Sequence, residues 1–436
     1  MKIIRFAHLF GNNSEGLNEL INAKINKSSE IELCKAVYEA GFDITGGISK
    51  QLSKLNYDIK NFYFGQEKLQ KLWASENGIK VDEEKWRESI VDSQIEKERP
   101  DIIFIQTPSN WILNYIKNKK NKSNKIKLCV AHTVYGGNIL DFSGIDLLLV
   151  GTPKIVQRYK SRGYNPELFY YYIDQDLLKN FSRDGNKTKK VIFMGSSGFG
   201  HGYAHASRYF LLRYLMNNCP IEIWENVVEE NSASNLKSKV RNAIKKIVKI
   251  SGSYKYIRRI CRNESSLEKL IIEIENENNF KKHGLKIPDK SLQELFPSRC
   301  HRSLFGNKYY EVISESEMCF HKGGDNTHDD VHCLLGNAGA LRMFETTGLG
   351  TTLVSNSASN NKDLFEENYE IVTYSCKEDA CEKIKFLLEN PDQCRQIGMA
   401  GLKKCNEKHS SKERAIQLDC LIREGLRKKG AGLDAI

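Results

Sequence analysis

Arg342 and Glu345 stand three positions apart in the run Leu341-Arg342-Met343-Phe344-Glu345, so a helix projects both from one face. An ionised carboxylate offers two acceptor oxygens, which suits a vicinal diol. A guanidinium presents a rigid fork of donors, which suits phosphate oxygens. The same pair could instead close an intrahelical salt bridge, worth roughly a few tenths of a kcal/mol at a surface. A second set of residues is the loop Gly195-Ser196-Ser197-Gly198-Phe199-Gly200-His201-Gly202, followed by His205 and Arg208. Glycines let backbone amides approach an anion, and a helix N-terminus adds partial positive charge. The loop matches neither the dinucleotide fingerprint nor the Walker loop, so the expectation of an anion there rests on its position.

Residues 316–336 hold the densest polar cluster: His321, Lys322, Asp325, His328, Asp329, Asp330 and His332. Lys322 and His328 are the catalytic candidates within it. His328, Asp329 and His332 raise the question of a metal, but no full ligand set at a recognised zinc spacing is present, and none is expected. His132 closes the apolar run Ile126–His132, where its intrinsic pKa would let it act as a base on a hydroxyl. A lone histidine at a strand end is, however, more often a hydrogen-bonded structural residue. The first loop, His8 to Asn13 with Gly11, is expected to face the same cleft.

The elements that must position these groups are legible as alternating apolar runs and helical patterns. Ile3–Leu9 reads as a strand and Ile31–Ala40 as a helix ending at Gly41. Residues 66–98 are helical in pattern, with Trp73 and Trp86 as packing anchors. Short apolar runs at 101–107, 126–132 and 145–153, separated by helix-length spacers, predict a parallel sheet buried on both faces. Pro153 suits the first turn of a helix continuing from Lys154 to Ser161, and Asn165–Ile173 reads as the last strand of this unit. The polar stretch 174–189 predicts a linker. A second βα series starts at Lys190–Met194, followed by a helix from about Ala204 to Met216 and a strand at 221–225. After a basic helical insertion, the Arg342–Glu345 helix breaks at Gly348-Leu349-Gly350. A strand (Thr351–Val354), a short helix at Asp363-Leu364-Phe365, a strand through Ile371 and helices over 377–429 complete the chain.

At 436 residues the chain suits two domains of about 200 residues each. Its hydrophobic content of 40% and aromatic content of 10% exclude wholesale disorder. No stretch reaches the roughly 18–20 apolar residues of a membrane span. The N-terminus reads as a first strand, not a signal peptide. Twelve cysteines are scattered without a CxxC pair, which implies a reduced, cytoplasmic setting. The net charge of +11 is concentrated between Leu236 and Arg262, which holds ten basic residues and no acidic one. With apolar residues interleaved, 236–262 suits an anionic membrane surface, each basic residue contributing on the order of 1 kcal/mol. A solvated helical face is the plainer reading. No motif supports nucleic acid.

The order of strand, histidine-containing loop, helix with Arg342-x-Phe344-Glu345 and glycine break resembles the nucleotide-sugar half of group 1 glycosyltransferases of the GT-B fold. Within that group it is most similar to the branch that includes spore-maturation-type enzymes. The resemblance is firm over roughly 300–410, looser over 190–225 and weak before 185. It implies two Rossmann-like α/β domains facing a cleft: 1–180 for the acceptor and 190–415 for the nucleotide-sugar, with the helical insertion at about 227–300. A helical tail follows at 416–436. It implies that Glu345 accepts hydrogen bonds from ribose hydroxyls and that Arg342 meets the diphosphate. The Gly195, Ser196, Gly198 and Gly200 loop, with His205 and Arg208, would complete donor binding. Asn337 stands eight positions before Glu345, where many such enzymes carry a second glutamate, so the grip on the sugar is expected to differ. His132, His328 and Lys322 are the catalytic candidates.

The implied activity is transfer of a sugar from a nucleotide-sugar, a UDP-sugar favoured, to a hydroxyl of a glycan, lipid-linked glycan or small acceptor, without metal or further cofactor. A nucleotide-sugar 2-epimerase of the same fold and an inactive glycan- or partner-binding protein are the alternatives. A cytoplasmic protein peripheral to the membrane, in surface-polysaccharide biosynthesis, is the expected setting.

Overall fold

The computed structural model describes the chain apart from residues 10, 12–13, 121–125, 135–139, 182–186, 200–202, 226–273, 276, 283, 324–337 and 431–436; the side chains of 120 and 203–205 are also outside the description. Two parallel six-stranded sheets organise it. The first contains β1 (Lys2–Ala7), β2 (Asp58–Phe62), β3 (Ile102–Gln106), β4 (Leu128–Thr133), β5 (Leu147–Val150) and β6 (Pro166–Leu168), in the order β2-β1-β3-β4-β5-β6. The second contains β7 (Lys189–Met194), β8 (Ile221–Glu225), β9 (Cys300–Arg302), β10 (Ser316–His321), β11 (Thr352–Asn356) and β12 (Val372–Tyr374), in the order β12-β11-β10-β7-β8-β9.

The apolar runs form central strands because both of their faces are covered. Ile103, Ile105, Cys129, Ala131, Leu148 and Val150 enter one core cluster. Their neighbours Ile102, Phe104, Leu128, Val130, Leu147 and Leu149 enter another on the opposite face. That alternation is the period of two of a pleated strand. The second sheet divides in the same way, with Val191, Phe193, Met318 and Phe320 on one face and Ile192, Met194, Cys319 and Leu353 on the other.

Four differences from the sequence reading have physical causes. Strand β2 was not anticipated; it is an edge strand with exposed Asp58 and Lys60, so it lacks the apolar run of a buried strand. Asn165–Ile173 is not one strand: only Pro166–Leu168 pairs with β5, and Ile173 makes an isolated bridge to Ser410. The short helix expected at 363–365 is a 3-10 turn, Asn361–Asp363. Much of the helical insertion expected at about 227–300 lies outside the described residues, in 226–273, and β9, a strand too short to show in the pattern, begins where the insertion ends. The helix over Pro153–Lys160 forms as expected, with Thr152 capping it.

The tail is not a separate appendage. The helix Ser411–Lys428 returns to the first lobe, burying Ala415, Leu418, Ile422 and Leu426 against β3, β4 and β5. Tyr57 donates its hydroxyl hydrogen to Asp419 at 2.6 Å across that contact. The lobes also meet near the site. A Cβ added at Gly339 would lie 2.9 Å from the Gly151 carbonyl, so only glycine permits that approach of the second lobe to the end of β5. Asn360 ties the same segment down: its Nδ2 donates to Tyr170 Oη at 3.2 Å and to the Ala338 carbonyl at 2.9 Å.

Candidate active site

The helix Leu341–Gly348 forms because Met343, Phe344 and Thr347 share a face that packs into the second lobe. It ends at Leu349, and Gly350 takes a φ of +72° before β11. Its N-terminal half therefore sits beyond the C-terminal ends of parallel strands, the edge where open α/β sheets bind ligands. A cavity of about 350 Å³ opens there, lined by Met194, Gly195, Ser196, Trp224, Arg342 and Glu345 among others, with Gly41 reaching it from the first lobe.

Glu345 is 5% exposed. Its Oε2 accepts the Tyr309 hydroxyl at 2.6 Å, and its Oε1 lies 3.4 Å from the Tyr310 hydroxyl. Burial holds its pKa above the ordinary carboxylate range, opposed by the charge of Arg342. Arg342 rests over the Tyr309 ring, 4.5 Å from its centre. Burial makes its positive charge costly, and the charge of Arg208 adds to that cost. Its Nη1 is shielded from solvent without a hydrogen-bond partner among the described residues. The salt bridges found among the described residues do not include one between Arg342 and Glu345.

Arg208 repeats this pattern. Its Nη1 donates to the Ser196 carbonyl at 2.9 Å, whereas its Nε is enclosed and has no partner among the described residues. Enclosed guanidinium groups with unused donors form a setting suited to an anion.

The glycine-rich loop behaves differently from an open anion cradle. Gly195 N–H donates to the Trp224 carbonyl at 2.9 Å, and Ser197 N–H to Glu225 Oε2 at 2.9 Å. Gly198 N–H donates to Ser196 Oγ at 3.1 Å. These amides serve the loop itself, and Gly195, with a φ of +140°, lets it turn towards the cavity. Gly200 lies outside the described residues, as do His328 and Asn337, and so does the His205 side chain.

The remaining candidates lie apart from the cavity lining. Lys322 Nζ donates to Ser207 Oγ at 2.7 Å, which places it beside the helix that carries Arg208. His321 is buried against Ser355 Oγ at 3.1 Å, and burial lowers its pKa to about 3. His132 is 1% exposed, with Nε2 3.1 Å from the Phe169 carbonyl and its ring edge-on to Phe169 and Tyr171. Burial lowers its pKa to about 4, so it is a neutral, internally bonded histidine near pH 7. Gly11 of the first loop approaches Phe305, a cavity-lining residue of the second lobe. Among the described residues no group of three or more His, Cys, Asp or Glu side chains is arranged to hold a metal, and no helix is long and apolar enough to cross a membrane.

Sequence reasoning missed Tyr309, Tyr310 and Trp224. The adjacent tyrosines belong to no motif, and only the fold brings them against a glutamate 35 and 36 positions away.

Comparison with known proteins bears on the family and the fold. Residues 259–419 match the family described as glycosyl transferase-like. No curated protein matches the sequence. Among solved structures, the glycosyltransferase from Rickettsia africae ESF-5 superposes with a TM-score of 0.51 at 10% identity, over 98% of each chain. The Anabaena protein HepE in complex with UDP-glucose superposes with a TM-score of 0.50 at 11% identity, over 97% of this chain and all of that one. TarM is longer: the alignment spans 77% of this chain and 58% of that one, at 9% identity and a TM-score of 0.45. The two lobes are thus those of the GT-B fold, with a second lobe that is glycosyl transferase-like. Family match and fold together indicate a glycosyltransferase.

Proposed function

We propose that this protein transfers a sugar from a nucleotide-sugar, a UDP-sugar first, to a hydroxyl of a glycan, lipid-linked glycan or small acceptor, without a metal. The observation that carries the reading is the enclosed guanidinium of Arg342, whose Nη1 has no partner among the described residues and which lines one cavity with the buried carboxylate of Glu345, with the charge of Arg208 and its enclosed Nε near enough for Arg342 to feel. In this reading Glu345 accepts the ribose hydroxyls and Arg342 donates to the diphosphate. As the glycosidic bond breaks, the leaving diphosphate gains negative charge. Arg342 and Arg208 are already in place to stabilise it, which is where prearranged donors accelerate a reaction most. Lys322 and His328 are further candidates for that role, and Asn337, His205 and Gly200 for the sugar and phosphates. The burial of His132 and the bond of its Nε2 to the Phe169 carbonyl favour a structural part for it over that of the base.

The run Arg342-x-Phe344-Glu345 supports a place in the branch that resembles spore-maturation-type enzymes. The basic segment 236–262 supports docking on an anionic membrane surface from the cytoplasmic side, and with it a part in polysaccharide synthesis. The test is release of nucleoside diphosphate from a panel of nucleotide-sugars, with and without an acceptor mixture and with and without EDTA. Acceptor-dependent release that EDTA leaves unchanged is expected. Release that needs no acceptor, or turnover abolished by EDTA and restored by a divalent ion, would overturn the corresponding part.

A further inference from the structure

We propose that Tyr309 is a positioning residue: its hydroxyl orients Glu345 towards the ribose diol, while its ring holds Arg342 in place for the diphosphate. The inference rests on the donor-site reading above and deepens it. One side chain makes both contacts, with the hydroxyl 2.6 Å from Glu345 Oε2 and the ring centre 4.5 Å from the Arg342 guanidinium carbon. Tyr309 is 8% exposed and lines the cavity.

A carboxylate has about four lone-pair sites. The hydroxyl at Oε2, with that of Tyr310 at 3.4 Å from Oε1, fixes the carboxylate plane and leaves acceptor capacity on both oxygens. The ring occupies a face of the guanidinium without using any of its N–H donors, so the partnerless Nη1 stays available to a ligand.

Tyr309 is itself held firmly. Its helix, Asn307–Ser314, starts against the first lobe, where Asn307 N–H donates to the Ala40 carbonyl at 2.9 Å and Asn307 Nδ2 to the Glu39 carbonyl at 3.1 Å. Gly306, with a φ of +64°, allows that approach, since a Cβ there would lie 2.6 Å from the Ala40 carbonyl. The position of the acid is thereby referred to the first lobe as well as to the second.

The test is titration calorimetry of the full chain with UDP and GDP, each beside its 2′-deoxy form and its monophosphate. The wild type is expected to prefer the ribose form by about tenfold, the scale of a hydrogen bond to a charged group, and the diphosphate over the monophosphate. Tyr309→Phe keeps the ring and removes the hydroxyl, so the ribose preference should collapse while the diphosphate preference stays. Tyr309→Leu should lose both. Glu345→Asp, which withdraws the carboxylate by one methylene, should reproduce the Tyr309→Phe split and covers the case in which Tyr309→Phe fails to fold. A Tyr309→Phe protein that keeps its ribose preference, or loses both preferences together, overturns the positioning role alone. A wild type that binds neither UDP nor GDP overturns the donor-site reading and this inference with it.

Discussion

Tyr309 donates its hydroxyl hydrogen to Glu345 at 2.6 Å, and the guanidinium of Arg342 lies on the other working part of the same side chain, its ring. Two groups of opposite charge on one helix are thus joined through an aromatic residue instead of pairing directly. A surface salt bridge would have consumed the donors and acceptors that a ligand needs. The arrangement leaves both groups buried and incompletely satisfied, which costs stability and suits a binding site.

Arg342→Gln removes the charge while keeping much of the shape. It should weaken nucleoside diphosphate binding by about tenfold or more, the scale of a charge-assisted hydrogen bond, and affect the corresponding nucleoside much less. Because the enclosed guanidinium has a donor without a partner, the substitution should leave the melting temperature unchanged or slightly raised. A variant that melts well below the wild type would assign Arg342 a structural role instead.

The first lobe is locked by a buried ion pair unconnected with the chemistry. Arg5 and Asp43 are both fully buried, bonded at 2.7 and 2.9 Å, with Gln106, Thr45 and Tyr63 completing the network. Asp43→Ala leaves the Arg5 charge without its counter-ion and should destabilise the protein by about 3–5 kcal/mol. Denaturant unfolding checks this, and a loss below about 1 kcal/mol would contradict it.

Stability should also fall in mild acid. His132, His321 and His409 are buried with pKa values lowered to about 4, 3 and 4, all through burial. Between those values and the unfolded value near 6.5 the unfolded chain binds more protons, so stability rises with pH across that window. The contribution is fully present above about pH 6.5 and is lost as pH falls towards 4, at about 1.4 kcal/mol per pH unit for each histidine. Glu345, Glu30 and Asp174 have raised values and act in the opposite sense, because burying their charged forms costs stability at higher pH. The histidine contributions predict that urea midpoints measured from pH 5 to 7 rise. A flat or falling series would contradict the neutral, buried assignment of these side chains.

Much of the fold was legible because a parallel sheet buried on both faces writes continuous apolar runs, as in Ile102–Gln106 and Leu128–Thr133. What such a pattern omits is edge strands and very short ones, and β2 and β9 were missed for those reasons. The Arg342 and Glu345 pair was legible from spacing alone, since three residues on a helix fix a common face. Tyr309 was not, because its place beside Glu345 depends on how the helix Asn307–Ser314 packs against the helix Leu341–Gly348. For His132 the sequence left both a base and a structural residue open, the structural one the commoner. Its contact with the backbone carbonyl of Phe169, 37 positions away, is one that no local pattern announces.

The most direct test of the central claim is titration of UDP, GDP, ADP, CMP and dTDP into the wild type and Glu345→Ala, with melting curves for both. A ligand at a hundredfold excess over its dissociation constant stabilises the folded state by about 2.7 kcal/mol, which a melting curve resolves. One nucleotide should bind and stabilise the wild type, and Glu345→Ala should fold normally while losing most of that affinity. Undiminished affinity in a well-folded Glu345→Ala protein, or no binding by the wild type to any of the five, would contradict the assignment of this cavity to a nucleotide-sugar.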